Sequence, residues 1–197
     1  MAQHEINLPC IADTYLDDDN PSTNYGSATS LLAGERHVLP PTGGDYSYFK
    51  RALLKFDISS IKHKRTISAY LRIYITNVYQ DTGGRTITRL MNVDFDEYEA
   101  TAQKTKFIGP DYYSKDLSQV STGYQEFNVF SGALYSTCVV VVSGRGYEFY
   151  PYIRFSSRET DNPPILKVIY EDVPPDKPTL LEPIGVYRDS KSVIRFA

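Results

Sequence analysis

Asp13, Asp17, Asp18 and Asp19 crowd one short stretch, DTYLDDDNPSTNYGSATSLLAGE, with Asn20 directly ahead of Pro21 and no Lys or Arg among them. Two kinds of chemistry use such residues: calcium binding by oxygen-rich loops and glycoside hydrolysis by facing carboxylates. The EF-hand pattern is absent, with no glycine at its sixth position and no glutamate at its twelfth. Asx residues ahead of Pro and Gly also satisfy turns for purely local reasons. The segment is therefore read as a turn that shapes the fold. Calcium over Asp13 to Asn20 is kept as the alternative, and no other cofactor or metal is expected.

Catalytic arrangements find no support elsewhere in the chain. Asp94, Asp96, Glu97 and Glu99 lie too close in sequence to define two carboxylates facing one bond. His4, His37 and His63 fall in terminal or loop-like segments without a nucleophile elbow. Gly43-Gly44, Gly83-Gly84 and the SGRG run at 143–146 read as hairpin turns, because no helix follows them to cradle a phosphate. Cys10 and Cys138 show no metal-ligand spacing and sit in apolar runs, which predicts buried free thiols in place of a staple between sheets. The expectation is a protein that is not an enzyme.

The strongest binding candidate is ERHVLPPTGGDYSYFKR, read as a long loop from Glu35 to Arg51. Loops longer than a hairpin requires are often functional. This one concentrates His37, Tyr46, Tyr48, Lys50 and Arg51, which offer rings for stacking and cations for carboxylates or sulfates. The bland alternative is a loop that covers a sheet edge with its rings packed inward.

The elements that must position these residues are strands. ISAYLRIYIT alternates Ile67, Ala69, Leu71, Ile73 and Ile75 with Ser68, Tyr70, Arg72, Tyr74 and Thr76, the period of a half-buried strand. RALLKFD sets Ala52, Leu54 and Phe56 on one face, and CVVVVS reads as a central strand buried on both faces. PILKVIY closes the series, and Pro151 marks YEFYPYIRF as an edge or bulged strand. The predicted core holds Leu54, Phe56, Leu71, Ile73, Val140 and Val168. One short helical turn is expected within 94–106. The result is an all-β chain, an antiparallel β-sandwich of jelly-roll-like type over 5–170.

At 171–178 the composition shifts to a Pro-rich linker, with Pro174, Pro175 and Pro178 breaking any continued pairing. Residues 179–197 then read as the first strands of a partial second sandwich. The net charge of −3 disfavours nucleic acid as a partner, and no stretch is long and apolar enough for membrane insertion. Seventeen tyrosines, nine phenylalanines and no tryptophan suit half-buried strand faces, which also serve as ligand surfaces. The start MAQHEINLPC has neither a basic nor an apolar leader region, which is read as a native start without a secretion signal.

Four stretches taken together, DTYLDDDNPSTNYGSATSLLAGE with RALLKFDISSI, ISAYLRIYIT and FSSRETDNPPILKVIY, resemble the DNRLRE domain, also described as disaggregatase-related and as carbohydrate-binding module family 96. The resemblance spans about 5–170 and implies a non-catalytic β-sandwich carried by large extracellular or phage-encoded proteins, some members binding acidic polysaccharides. The family's tryptophans near VDFDEYEATAQK are absent here, so Phe95 and Tyr98 would stand in. The tail similarly resembles the opening of a fibronectin type III-like domain. The expected role is a structural or adhesive module of a multidomain surface assembly, foremost a phage virion fibre, tail or head-decoration protein. Its expected partners are other subunits of a virion or cell-surface assembly, and its location is the virion or the extracellular surface. The alternative is a module that binds surface polysaccharide, attached to a polysaccharide-degrading enzyme.

Overall fold

The computed structural model describes residues 2–38, 46–79, 85–91, 95–105, 113–116, 120–129, 137–145 and 152–172. Among these residues ten strands follow one another: β1 (Gln3–Asp17), β2 (Ser30–Val38), β3 (Tyr46–Asp57), β4 (Arg65–Tyr79), β5 (Arg85–Met91), β6 (Tyr113–Asp116), β7 (Gly123–Asn128), β8 (Thr137–Arg145), β9 (Tyr152–Ser156) and β10 (Ile165–Glu171). The only helix among the described residues is a 3-10 turn at Ser59–Ile61. Within 95–105 the chain makes two isolated turns, closed by Ala100 N–H to Asp96 O at 2.9 Å and Thr105 N–H to Thr101 O at 2.9 Å. The tail, 173–197, lies outside the described residues, and so does the expected fibronectin-like start.

Every strand pairing among the described residues is antiparallel. The order β1-β10-β4-β9-β2-β3 returns to β1, so six strands close a ring, β7 joins β4, and β8-β5-β6 extend from β3. Two long strands make the closure. β1 pairs through Gln3–Pro9 with β10 and through Cys10–Asp17 with β3. β4 pairs through Arg65–Arg72 with β10 and through Ile75–Tyr79 with β9. A strand that changes partner along its length carries the core from one sheet into the other, which is the β-sandwich of jelly-roll-like type expected from the sequence.

The period-two pattern decides which side chains fill that core. Ala69, Leu71, Ile73 and Ile75 of β4, Ala52, Leu54 and Phe56 of β3, and Leu166 and Val168 of β10 are buried in one cluster with Leu31, Ile153, Phe155 and Phe127. Full burial of each large apolar side chain contributes about 1.5–3 kcal/mol. All the predicted core residues lie here except Val140, whose side chain is outside the described residues. The central position expected for 138–143 is seen, since β8 pairs with β3 on one edge and β5 on the other.

Several sequence expectations change. The sequence offers EINL and CIADTY as two separate short strands, but they form one, irregular only between Cys10 and Ala12. Ser143, Gly144 and Arg145 are paired inside β8, where a turn was expected. The Glu35–Arg51 segment is mostly strand: β2 runs to Val38, β3 starts at Tyr46, and Val38 to Gly34 pair with Tyr46 to Lys50. A hairpin needs only a short connection, so the flanking polar residues are held in a ladder by the same backbone hydrogen bonds that carry the core. The linker also starts later than 171, because Glu171 still pairs with Arg65 and Gln3.

Register settles the cysteines as well. Cys10 and Cys138 both stand opposite Phe56, on either side of β3. Their Cα atoms are therefore two strand spacings apart, about 10 Å, beyond the roughly 7 Å that a disulfide spans. Cys10 is a buried free thiol donating to Ala12 O at 3.2 Å, and burial pushes its pKa far up.

Candidate functional site

The acidic opening stretch splits into two structural tasks. Asp17, almost fully buried, accepts from Lys50 Nζ at 2.8 Å, from Asn20 Nδ2 at 3.0 Å and from the Asp19 N–H at 3.0 Å. Burial pushes its carboxyl up, but these donors outweigh it and hold the pKa below the usual carboxylate range. Asp18 pairs with the guanidinium of Arg51 at 3.2 and 3.3 Å and accepts from the Phe49 N–H at 2.9 Å. These are turn and strand-end contacts, as the local reading of Asx residues anticipates.

Asp13 points elsewhere. Its Oδ2 accepts from the Arg158 N–H at 2.6 Å, and its own N–H donates to Glu97 Oε1 at 3.0 Å. Arg158 grips Glu97 at two points, Nε to Oε1 at 2.9 Å and Nη2 to Oε2 at 2.7 Å, and its Nε lies 3.0 Å from Glu159 Oε1. That hydrogen bonding raises the Arg158 pKa further above its already high value. Burial raises Asp13 to about 7, and the charges of Glu159 and Glu97 add to the rise while the Arg158 backbone N–H opposes it. Asp13 Oδ1 is buried without a hydrogen-bond partner among the described residues.

The Asn-Tyr-Gly turn locks the same region. Asn24 Nδ2 donates to Glu97 O at 2.8 Å and Ala100 O at 2.9 Å, while its Oδ1 accepts from the Gly26 N–H at 3.0 Å. A Cβ on Gly26 would stand 2.3 Å from the carbonyl oxygen of Glu97, so only glycine permits this approach. Tyr25 stacks on Tyr15 with ring centroids 4.0 Å apart. Ala100 then packs with Leu16 and Leu53 in a small second core, against which Phe95 is partly buried. Phe95 is therefore a packing residue; Tyr98 is 65% exposed.

The predicted binding residues separate accordingly. His37 pairs with Ser47 and Tyr46 with Val38 at the ends of β2 and β3, with the side chains of His37 and Tyr46 outside the described residues. Tyr48 is half-buried on β3. Lys50 and Arg51 are drawn into the ion pairs with Asp17 and Asp18, and the Arg51 guanidinium lies over the Phe49 ring at 4.4 Å.

A different surface brings rings and cations together. The residues of β4 that alternate with its buried row, Tyr70, Arg72 and Tyr74, stand opposite Asn128, Glu126 and Tyr124 of β7, with Lys167 of β10 opposite Tyr70 on the other edge. Tyr74 meets Tyr124 edge to face at 5.1 Å, the Arg72 guanidinium lies over the Tyr124 ring at 4.1 Å, and Lys167 Nζ lies 5.7 Å from the centre of the Tyr70 ring. Tyr124 is 45% exposed, and its hydroxyl donates to Asn162 Oδ1 at 2.8 Å. Glu126 is the single acid of this group, 3.7 Å from Lys167.

Further along β4 an irregularity between Ile75 and Asn77 shifts the alternation by one residue. Val78 then packs against the core, and Tyr79 turns outward to stack on Tyr152 at 5.2 Å. The outer row thus keeps tyrosines at both ends. The sequence carried the signal for this face in the polar half of ISAYLRIYIT, but a single strand does not reveal its neighbours. Tyr124 and Lys167, in separate strands, were not singled out.

No candidate membrane-spanning helix occurs among the described residues. The family model of carbohydrate-binding module family 96 matches residues 4–170. No curated protein matches the chain.

Proposed function

The chain belongs to carbohydrate-binding module family 96, and from that premise we propose that it binds an acidic polysaccharide across the outer row of β4 and its neighbours β7 and β10, without cleaving it. The observation that carries this reading is the stack of Arg72 on Tyr124, with Tyr74 set edge-on beside it. A tyrosine ring on a sheet face offers an apolar platform to the C–H face of a sugar, and its hydroxyl keeps a polar edge. Arginine held by that ring is ordered in advance and presents a planar fork to a carboxylate. From Tyr70 to Tyr74 the row extends about 13 Å along the strand, enough for a short run of sugar rings lying flat.

Arg72 and Lys167 outnumber Glu126 on this face, which favours a polyanionic ligand although the chain as a whole carries a charge of −3. In the same proposal, the module serves a larger surface assembly, a virion fibre or tail component or a cell-surface protein, by positioning it on polymer. The proline-rich composition within 171–178 fits a tether between modules.

Calorimetry with a uronate polymer and a neutral polymer of similar length tests the reading. Binding is expected for the uronate alone, and Tyr124→Ala should weaken it about ten-fold, or about 1.4 kcal/mol. Equal affinity for the neutral polymer, or a Tyr124→Ala variant that binds like the original, would overturn it.

A further inference from the structure

The Asp13 cluster has a property that the polysaccharide reading does not use. Asp13, Glu97 and Glu159 each offer a carboxylate oxygen, and these three atoms lie within 4.8 Å of one another. They come from β1, from the turn after Phe95 and from the loop after β9, three segments distant in sequence. Asp13 is 1% exposed and Glu97 6%, while Glu159 lies on the solvent side. Among the described residues, one guanidinium, that of Arg158, stands in contact with this group of three carboxylates. It contacts Glu97 and Glu159 but leaves Asp13 Oδ1 without a partner.

A buried carboxylate oxygen with no donor is costly, and native structures rarely leave one. A proton on Oδ1 would replace an unpartnered acceptor with an unpartnered donor. A cation instead satisfies the oxygen directly and cancels the surplus negative charge around it. We propose that Asp13, Glu97 and Glu159 form a calcium site that ties β1 to the two loops.

Site chemistry favours calcium over magnesium: magnesium demands near-ideal octahedral geometry and keeps several of its waters, which three carboxylates converging from three separate segments do not suit. Calcium also tolerates irregular sites completed by water, which the solvent side of Glu159 admits. Arg158 stays in place as the hydrogen-bond donor that orients Glu97, and its positive charge sets the affinity at the weak end, on the order of 10⁻⁴ M. The site differs from the one the sequence suggested: of the Asp13–Asn20 run only Asp13 takes part, and Asp17 and Asp18 are committed to Lys50 and Arg51.

The test is titration of the chelator-treated protein with calcium chloride by calorimetry, with magnesium chloride as control and the melting temperature followed in parallel. Calcium is expected to bind and to raise the melting temperature, with magnesium inert at the same concentration. Glu159→Gln, on the solvent side where it does not disturb packing, should weaken calcium binding ten-fold or more, and Asp13→Asn should abolish it. No heat and no shift in melting temperature at millimolar calcium would overturn the site. Calcium affinity unchanged in Glu159→Gln would also overturn it, by placing the ion elsewhere, and this holds even if Asp13→Asn does not fold.

Discussion

Arg158 closes a two-point ion pair on Glu97, Nε to Oε1 at 2.9 Å and Nη2 to Oε2 at 2.7 Å, across 61 residues of sequence. The planar guanidinium matches the carboxylate edge to edge, so the pair fixes direction as well as distance. Through it the loop after β9 is clamped to the segment that covers Leu16 and Leu53.

Removing the arginine strands a buried acid. Glu97 is 6% exposed, and Arg158→Ala should destabilise the domain by about 3 kcal/mol, the lower end for broken buried pairs because the arginine side chain is 30% exposed. Urea unfolding of the two proteins, compared at equal slope, measures it.

Gly26→Ala tests the close approach of the Asn-Tyr-Gly turn. The added methyl would meet the Glu97 carbonyl at 2.3 Å, and backbone does not yield as a side chain does. A loss of about 1–3 kcal/mol is expected from this overpacking. Weakened amide protection at Glu97 and Ala100 would locate the damage.

Stability in a chelating buffer should fall as pH rises from about 4 to 7. Asp13 has its folded pKa raised from 3.8 to about 7, so in this window the unfolded chain has released a proton that the folded one still holds. The folded state binds more protons, hence stability declines with pH, by at most about 1.4 kcal/mol per unit, and levels off above pH 7. Arg158, Glu97 and Glu159 face the same carboxyl. Asp17 has the opposite sign: its depressed pKa gives stability present at higher pH and lost on acidification. Asp13→Asn should remove the decline and leave the acid limb intact, as read from melting temperature against pH.

Lys50→Ala and Arg72→Ala should have opposite profiles. Lys50 partners the buried Asp17, so its loss should cost about 1–3 kcal/mol of stability and leave polysaccharide affinity unchanged. Arg72 lies on the outer face, so its loss should leave the melting temperature nearly unchanged and weaken binding to the uronate polymer. The reverse pattern in calorimetry and thermal unfolding would move the binding surface back to the β2–β3 hairpin.

The sequence by itself determined the strands and the sides they turn to the core. The alternation of Leu71 and Ile73 with Tyr70, Arg72 and Tyr74 is a local property, because successive side chains of a strand must point to opposite faces. Apolar burial then assigns the inner face, and Leu54, Phe56, Leu71, Ile73 and Val168 are all in the core. Motif order carried the family: here the Asp-Thr-Tyr and Asn-Tyr-Gly residues serve packing and turns of this fold. What only the tertiary structure decided is which distant residues meet. Asp17 finds Lys50 and Asp13 finds the Arg158 backbone through the order and register of strands. A one-residue irregularity after Ile75 suffices to turn Tyr79 outward. Local periodicity gives a side chain its face, but neighbours across a sheet are chosen by the closure of the whole ring, which minimises exposed apolar surface for all the strands at once. That closure places Tyr74 beside Tyr124 and Glu97 beside Asp13, and it gathers a row of polar strand residues and a scatter of acids into two distinct clusters.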